Sequence, residues 1–246
     1  MPEMLRIDFE TRSKVDLPKR GVHIYAEDPS TDAWCMAYAF DDQPVELWVM
    51  GEDLPANIRK HVEAGGLLGA WNAAFELAIW NHIMAPRYNW PKIKASQCRC
   101  TMMMAGAMSL PLGLDRCASA MSLDISKDKQ GYSLMLRMAK PRKVNPLTWW
   151  DVPARLEKLH NYCKQDVEVE RKLAGKLRPL TDKEQALWVL DQKINNRGVP
   201  VDLTSVNTLI DWCKQERTRL NNEMVIVSNG QVTSCADLVN LKRFAN

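Results

Sequence analysis

Residues 4–11 alternate in character: Leu5, Ile7 and Phe9 are apolar, and Arg6, Asp8 and Glu10 between them are charged. A period of two predicts a strand with one apolar and one polar face. Residues 34–40 and 45–49 read as two more strands, joined across the turn-forming Asp41-Asp42-Gln43-Pro44. Residues 55–64 predict a helix that stops at Gly65-Gly66, 67–71 a short buried strand, and 73–84 another helix. The first third therefore predicts β-β-β-α-β-α, an α/β layer containing an antiparallel hairpin.

Beyond Cys100 the pattern turns helical. Residues 102–108, 114–121 and 132–138 are short helical candidates between prolines and glycines, and the methionines of the first suit core packing. Pro153 opens a long predicted helix to about residue 178, in the first turn, where its missing N–H costs least. Pro179-Leu180 marks a boundary, and Thr181-Asp-Lys-Glu184 is a capping box that starts a new helix. A turn over 197–202, a helix over 204–224 and a final helix capped by Ser234 complete the expectation. The chain is thus expected to divide into an α/β domain, 1–179, and a helical segment, 180–246. Because it stops inside helical material, it reads as part of a longer protein.

Apolar residues make up 46% and charged residues 26% of the 246, the balance of an ordinary globular chain. No run of about 18 apolar residues exists, so no membrane-spanning helix is expected. Glu3 and the lack of an apolar core behind it argue against a signal peptide. Seven cysteines, an odd number without framework spacing, fit a reduced cytoplasm, bacterial or that of a phage-infected host. Cys98-Arg99-Cys100 lacks a second pair at zinc-site spacing and reads as two core or loop thiols. Net charge is only +3, yet 127–143 holds Lys127, Lys129, Arg137, Lys140, Arg142 and Lys143 against the single acid Asp128. A local basic patch of that kind suits a phosphate backbone, or simply a solvated helix face.

The carboxylates carry the chemistry. Asp8 and Glu10, at i and i+2 of a strand, project from the same face, and two anions so placed call for a positive partner. Hard oxygen ligands suit Mg²⁺ or Mn²⁺. Asn72 and Glu76 follow the short buried strand into a helix, where a plain N-cap with a first-turn acid is the simpler explanation. Tyr162 and Asp166, at i and i+4 of the long helix, share a face, so a hydroxyl can hold water beside a carboxylate. Each pair alone is ordinary. Their order and their predicted settings together are not.

Asp8-Phe9-Glu10-Thr11, Asn72-Ala-Ala-Phe75-Glu76 and Tyr162-Cys-Lys-Gln-Asp166 resemble the three motifs of the DEDDy exonucleases, over residues 4–178. That resemblance implies an α/β ribonuclease-H-like fold, a mixed central sheet flanked by helices. The segment Asp191-Gln-Lys-Ile-Asn-Asn-Arg-Gly198-Val-Pro-Val-Asp202 is similar to the entry to the thumb of bacteriophage-type family A DNA polymerases. So are Leu110-Pro111, 127–131 and Gly230-Gln-Val-Thr-Ser234. The polymerase's own catalytic motifs are not in the chain, so a polymerase domain is expected in cis or in trans. One departure is that the second-motif acid is Glu76, where the wider superfamily commonly has Asp.

What the resemblance implies is two-metal hydrolysis of phosphodiesters at DNA 3′ ends, of proofreading type. Asp8, Glu10, Glu76 and Asp166 would bind two divalent cations, Mg²⁺ or Mn²⁺, and Tyr162 would orient the attacking water. Thr11, Asn72 and Phe75 would meet the terminal nucleotide of single-stranded DNA or a primer 3′ end. Lys127, Lys129, Tyr132 and Arg137 would line the single-strand path. None of His23, His61, His82 and His160 is given a role. The alternatives are ribonuclease D-like trimming of RNA with the same carboxylates, and a non-catalytic module that binds DNA or supports a polymerase.

Overall fold

A computed structural model describes residues 3–123 and 129–245. The alternating segment forms β1 (Met4–Arg12), with Leu5, Ile7 and Phe9 buried. A helix that the pattern did not predict, α1 (Leu17–Glu27), follows, with Asp16 as its N-cap accepting from Lys19 N at 3.3 Å. It escapes a periodicity reading because Gly21, at φ 77° and ψ 166°, kinks it into two short pieces. Then come β2 (Asp32–Phe40), β3 (Glu46–Val49), α2 (Ala56–Glu63), β4 (Leu67–Ala70) and α3 (Ala73–Ile79).

Helix α3 does not stop where the sequence expected. It runs on through a π-helical turn, Trp80–Met84, into α4 (Ala85–Tyr88) and ends at Asn89 in the left-handed region, φ 54°. Pro86 supplies the reason: it has no N–H for the carbonyl one turn back, and a wider turn absorbs the misfit. Cys98–Cys100 forms β5, a three-residue strand, with both thiols buried. Helices α5 (Thr101–Ala107), α6 (Leu114–Ala120) and α7 (Lys129–Met138) precede a small hairpin, β6 (Lys143–Val144) and β7 (Leu147–Thr148). Then the long helix α8 spans Pro153–Lys176.

The strand order is β3-β2-β1-β4-β5. β1 pairs antiparallel with β2 and parallel with β4, while β3 is antiparallel to β2 and β5 parallel to β4. This mixed five-stranded sheet with helices packed on it is the expected α/β class, and its order and directions fit the ribonuclease-H-like arrangement. β1 sits in the middle, so whatever it carries is held from both sides. Its apolar face meets a cluster of rings: Phe9 lies 6.3 Å from Trp80 and 6.2 Å from Trp90, and Trp80 and Trp90 are 4.7 Å apart. On the opposite face, α8 packs Leu159, Cys163 and Val167 against Cys35, Ala37 and Ala39 of β2. The polar side of β1 is therefore roofed by a helix and not by water.

Contacts divide the chain after Arg197. Helix α9 (Asp182–Arg197) belongs to the first unit, because Trp188 is buried in the main core with Val189 against it. Residue 179, the boundary drawn from sequence, falls inside that unit. The Thr181–Glu184 box forms: Thr181 N donates to Glu184 at 2.7 Å and Glu184 N to Thr181 Oγ1 at 3.3 Å. The second unit, 198–246, holds α10 (Leu203–Val227) and α11 (Leu238–Ala245). Asp237 caps α11, accepting from Asn240 N at 3.1 Å, while Ser234 serves the preceding turn through Ala236 N. Among the described residues no helix is long and apolar enough to cross a membrane.

Candidate metal centre

Three distant segments bring the acids together. Asp8 and Glu10 come from the central strand, Glu76 from the first turn of α3, and Asp166 from the middle of α8. Carboxylate oxygens of Asp8, Glu10 and Asp166 all lie within 4.8 Å of one another. Glu76 joins them electrostatically, since its charge is felt by Glu10 and it feels that of Asp8. A register shift between Glu10 and Thr11 lets β2 carry one extra residue opposite this point, a β-bulge that re-aims the strand's side chains beside the acids.

Burial dominates the electrostatics. Desolvation, lessened by the Cys163 thiol and reinforced by Glu170, raises Asp8 to about 7. Desolvation together with the charge of Asp8 raises Asp166 to about 8, although a Tyr162 hydrogen bond pulls the other way. Glu10 and Glu76, buried with only 7% and 5% of their surface exposed, are pushed well above the usual carboxylate range by burial and then by Asp8. Glu76 accepts from the Phe9 backbone N–H, yet its Oε2 is buried without a hydrogen-bond partner. Four carboxyl groups in one dry site cost much unless protons or cations neutralise them.

This donor set fits a divalent cation. It is carboxylate oxygen only, the chemistry of Mg²⁺ or Mn²⁺. Oxygens on opposite sides of one ion at about 2.0–2.1 Å lie about 4.2 Å apart, and the Asp8, Glu10 and Asp166 oxygens, all within 4.8 Å of one another, need only a small inward movement to reach that spacing. The orphaned Glu76 oxygen is the group a further positive charge would satisfy.

The other expected residues take varied positions. Tyr162 is half-buried, donates to Asp166, and is pushed above the usual phenol range by burial and by the charges of Asp166 and Glu10. Its hydroxyl keeps its proton at neutral pH. Thr11 is buried and shares a 2.8 Å hydrogen bond with Tyr25. Phe75, half-buried, has its ring 6.2 Å from that of Tyr25. Asn72 is exposed at the N-cap of α3 and makes no side-chain cap. Arg137 and Tyr132 are exposed on α7. Lys127 and the side chain of Lys129 lie outside the described residues.

Sequence reasoning missed five supporting residues. Cys163 donates to both the backbone oxygen (3.3 Å) and Oδ2 (3.4 Å) of Asp8. Arg6 grips Glu170 with 2.7 and 2.9 Å bonds, tying the central strand to α8, and Thr101 at the start of α5 also donates to Glu170. Tyr25 holds Thr11. A signal existed for Glu170, which lies four residues after Asp166 and so on the same helical face. None existed for Tyr25, whose helix was itself unrecognised.

Fold and site together define a mixed α/β domain with a buried carboxylate centre suited to hard cations. Its similarity is to DNA polymerases: the chain is 38% identical over 229 residues to the DNA polymerase of Bacillus phage SP02, a match that takes in 88% of this chain. The chain spans about a third of that polymerase, 34% of its length. A solved family B DNA polymerase from the archaeon Pyrobaculum calidifontis aligns with 78% of this chain and 29% of its own at 15% identity and a TM-score of 0.47. No family model matches the sequence.

Proposed function

We propose that this chain is the 3′→5′ exonuclease domain of a DNA polymerase, of the DEDDy type and family A, removing nucleotides from DNA 3′ ends as a proofreader. The observation that carries the proposal is the convergence of Asp8, Glu10 and Asp166, with Glu76 alongside and Tyr162 bonded to Asp166. Similarity to a phage DNA polymerase supports DNA as the substrate. In this reading 180–246 is a helical segment leading into a polymerase thumb, and a polymerase domain accompanies the chain in cis or in trans.

Asp8, Glu10 and Asp166 would hold one cation and Glu76 would serve a second. Divalent metal bound there supplies Lewis-acid activation of water and neutralises charge on the leaving 3′ oxygen. The chain's own groups do the rest. Tyr162, protonated, donates one hydrogen bond and so fixes the direction from which water approaches. The roof of α8 over the polar side of β1 limits bulk water, which strengthens every charge interaction beneath it. Asn72 and Phe75, with Thr11 held by Tyr25, border the terminal nucleotide.

The test is turnover of matched DNA and RNA oligonucleotides in Mg²⁺ and in Mn²⁺. Mononucleotides should leave the 3′ end, faster from DNA. Equal or faster release from RNA would replace the substrate, and release from neither would replace the reaction.

A further inference from the structure

Trp149 and Trp150 join the β6–β7 hairpin to α8, and the two indoles are held differently. Trp149 is an anchor. Its ring meets Trp34 edge-on at 6.4 Å, and the Arg12 guanidinium lies 4.3 Å from the Trp34 ring and 5.0 Å from that of Trp149. Trp150, half-buried, is instead surrounded by cations: Arg155 at 4.7 Å from the ring centroid, Arg142 at 5.6 Å and Arg137 at 5.9 Å. These come from α8, the hairpin's approach and α7. Among the described residues none of the three has a carboxylate partner within ion-pair distance. Beside them opens a cleft of about 430 Å³ lined by Arg142, Lys143 and Trp149, with Asp151 as its acid.

Guanidinium groups repel one another, and bringing three to one ring without a carboxylate leaves a concentrated positive field. A half-buried indole among arginines is the combination that holds a nucleic-acid strand, the ring stacking on a base and the cations taking phosphates. Its placement relative to the carboxylates follows from helix geometry. Arg155, Tyr162 and Asp166 are separated by seven and four residues of one uninterrupted helix. At about 100° per residue they fall within roughly 40° of one another around its axis, with Arg155 about 10 Å along from Tyr162. One helical edge thus leads from the acids to the Trp150 cluster.

We propose that Trp150, framed by Arg137, Arg142 and Arg155, is a binding subsite for single-stranded DNA a few nucleotides upstream of the scissile phosphate. It stacks one base and neutralises the phosphates on either side of it. The direction of the strand rests on the exonuclease reading; binding at the cluster does not. The fixed Trp149 next door makes the platform rigid, so little ordering is needed when a strand arrives.

The test uses the whole chain in EDTA, where hydrolysis is off, with 5′-fluorescein oligothymidylates of two to eight nucleotides read by anisotropy. Wild-type affinity should climb with length. Trp150→Ala should lose about tenfold on the octamer, while Trp150→Phe, which keeps a ring, should lose much less. Arg142→Gln with Arg155→Gln should weaken the octamer and flatten the slope of log affinity on log salt by about 1.4, two single-strand phosphates' worth. Arg142 is exposed and Arg155 half-buried, and among the described residues neither is in an ion pair, so the double variant should melt close to wild type. Octamer affinity and salt slope equal to wild type in that variant would overturn the subsite. Failure of the exonuclease reading would show instead as absent mononucleotide release in Mg²⁺, with these isotherms unchanged.

Discussion

At the scale of single residues, the site is a set of acids held in an environment that resists their ionisation. Asp8 and Asp166 are raised from 3.8 to about 7 and about 8, so the metal-free folded chain keeps protons there that the unfolded chain has released. Their contribution to stability is therefore fully present below pH 3.8 and is lost as pH rises through 7 and 8. Metal-free protein should melt at a lower temperature at pH 9 than at pH 6, and Mg²⁺ should recover the loss at pH 9, where the carboxylates are ionised and ready to bind. A melting temperature flat across that window, with or without metal, would contradict the buried-acid description. Tyr162 acts by donating one bond, and Tyr162→Phe should lower the hydrolysis rate by about 100-fold while leaving the affinity for metal near wild type. Calorimetry with Mn²⁺ beside initial rates separates the two. That Asp8, Glu10 and Asp166 converge was legible in the order and predicted settings of the three motifs taken together, each pair alone being ordinary. Cys163 and Tyr25 were not, because nothing local says that a thiol or a phenol will find an acid or a threonine far along the chain.

At the scale of elements, the site depends on how β1 and α8 are locked together. The Arg6–Glu170 pair does this with side chains that are 17% and 4% exposed. Removing one member leaves the other charge buried and unmatched, so Glu170→Ala should cost about 3 kcal/mol in urea unfolding. The same variant should weaken Mn²⁺ binding, since α8 carries Asp166 one turn away. Full stability in Glu170→Ala would show that the two elements are held by apolar packing alone. Neither α1 nor the β6–β7 hairpin was legible from the residue pattern. Gly21 and Pro18 hide the periodicity of the first, and two-residue strands are too short to show a period at all. The π turn before Pro86 was hidden for a different reason: composition there is helical throughout, and only the missing N–H of proline alters the winding.

For the whole molecule, the contact boundary follows Arg197 and not residue 179. Composition changes at Pro179-Leu180, but a single large side chain, Trp188, sinks into the first unit's core and keeps α9 with it. Residues 193–203, spanning that boundary, are all exposed, so limited proteolysis should cut there first and release a stable fragment of about 1–197. That fragment should retain the nuclease activity, because every carboxylate of the site lies within it. Initial cleavage near residue 179 would return the boundary to where composition put it.

The proposed activity of the acid cluster is hydrolysis of DNA from its 3′ end with the help of a divalent cation. The most direct measurement is degradation of a 5′-labelled single-stranded DNA in Mn²⁺, wild type beside Asp8→Ala. A ladder shortening from the 3′ end, abolished by EDTA and by the substitution, is the result expected. An unshortened label with wild type, or a ladder that persists in Asp8→Ala, would contradict the claim.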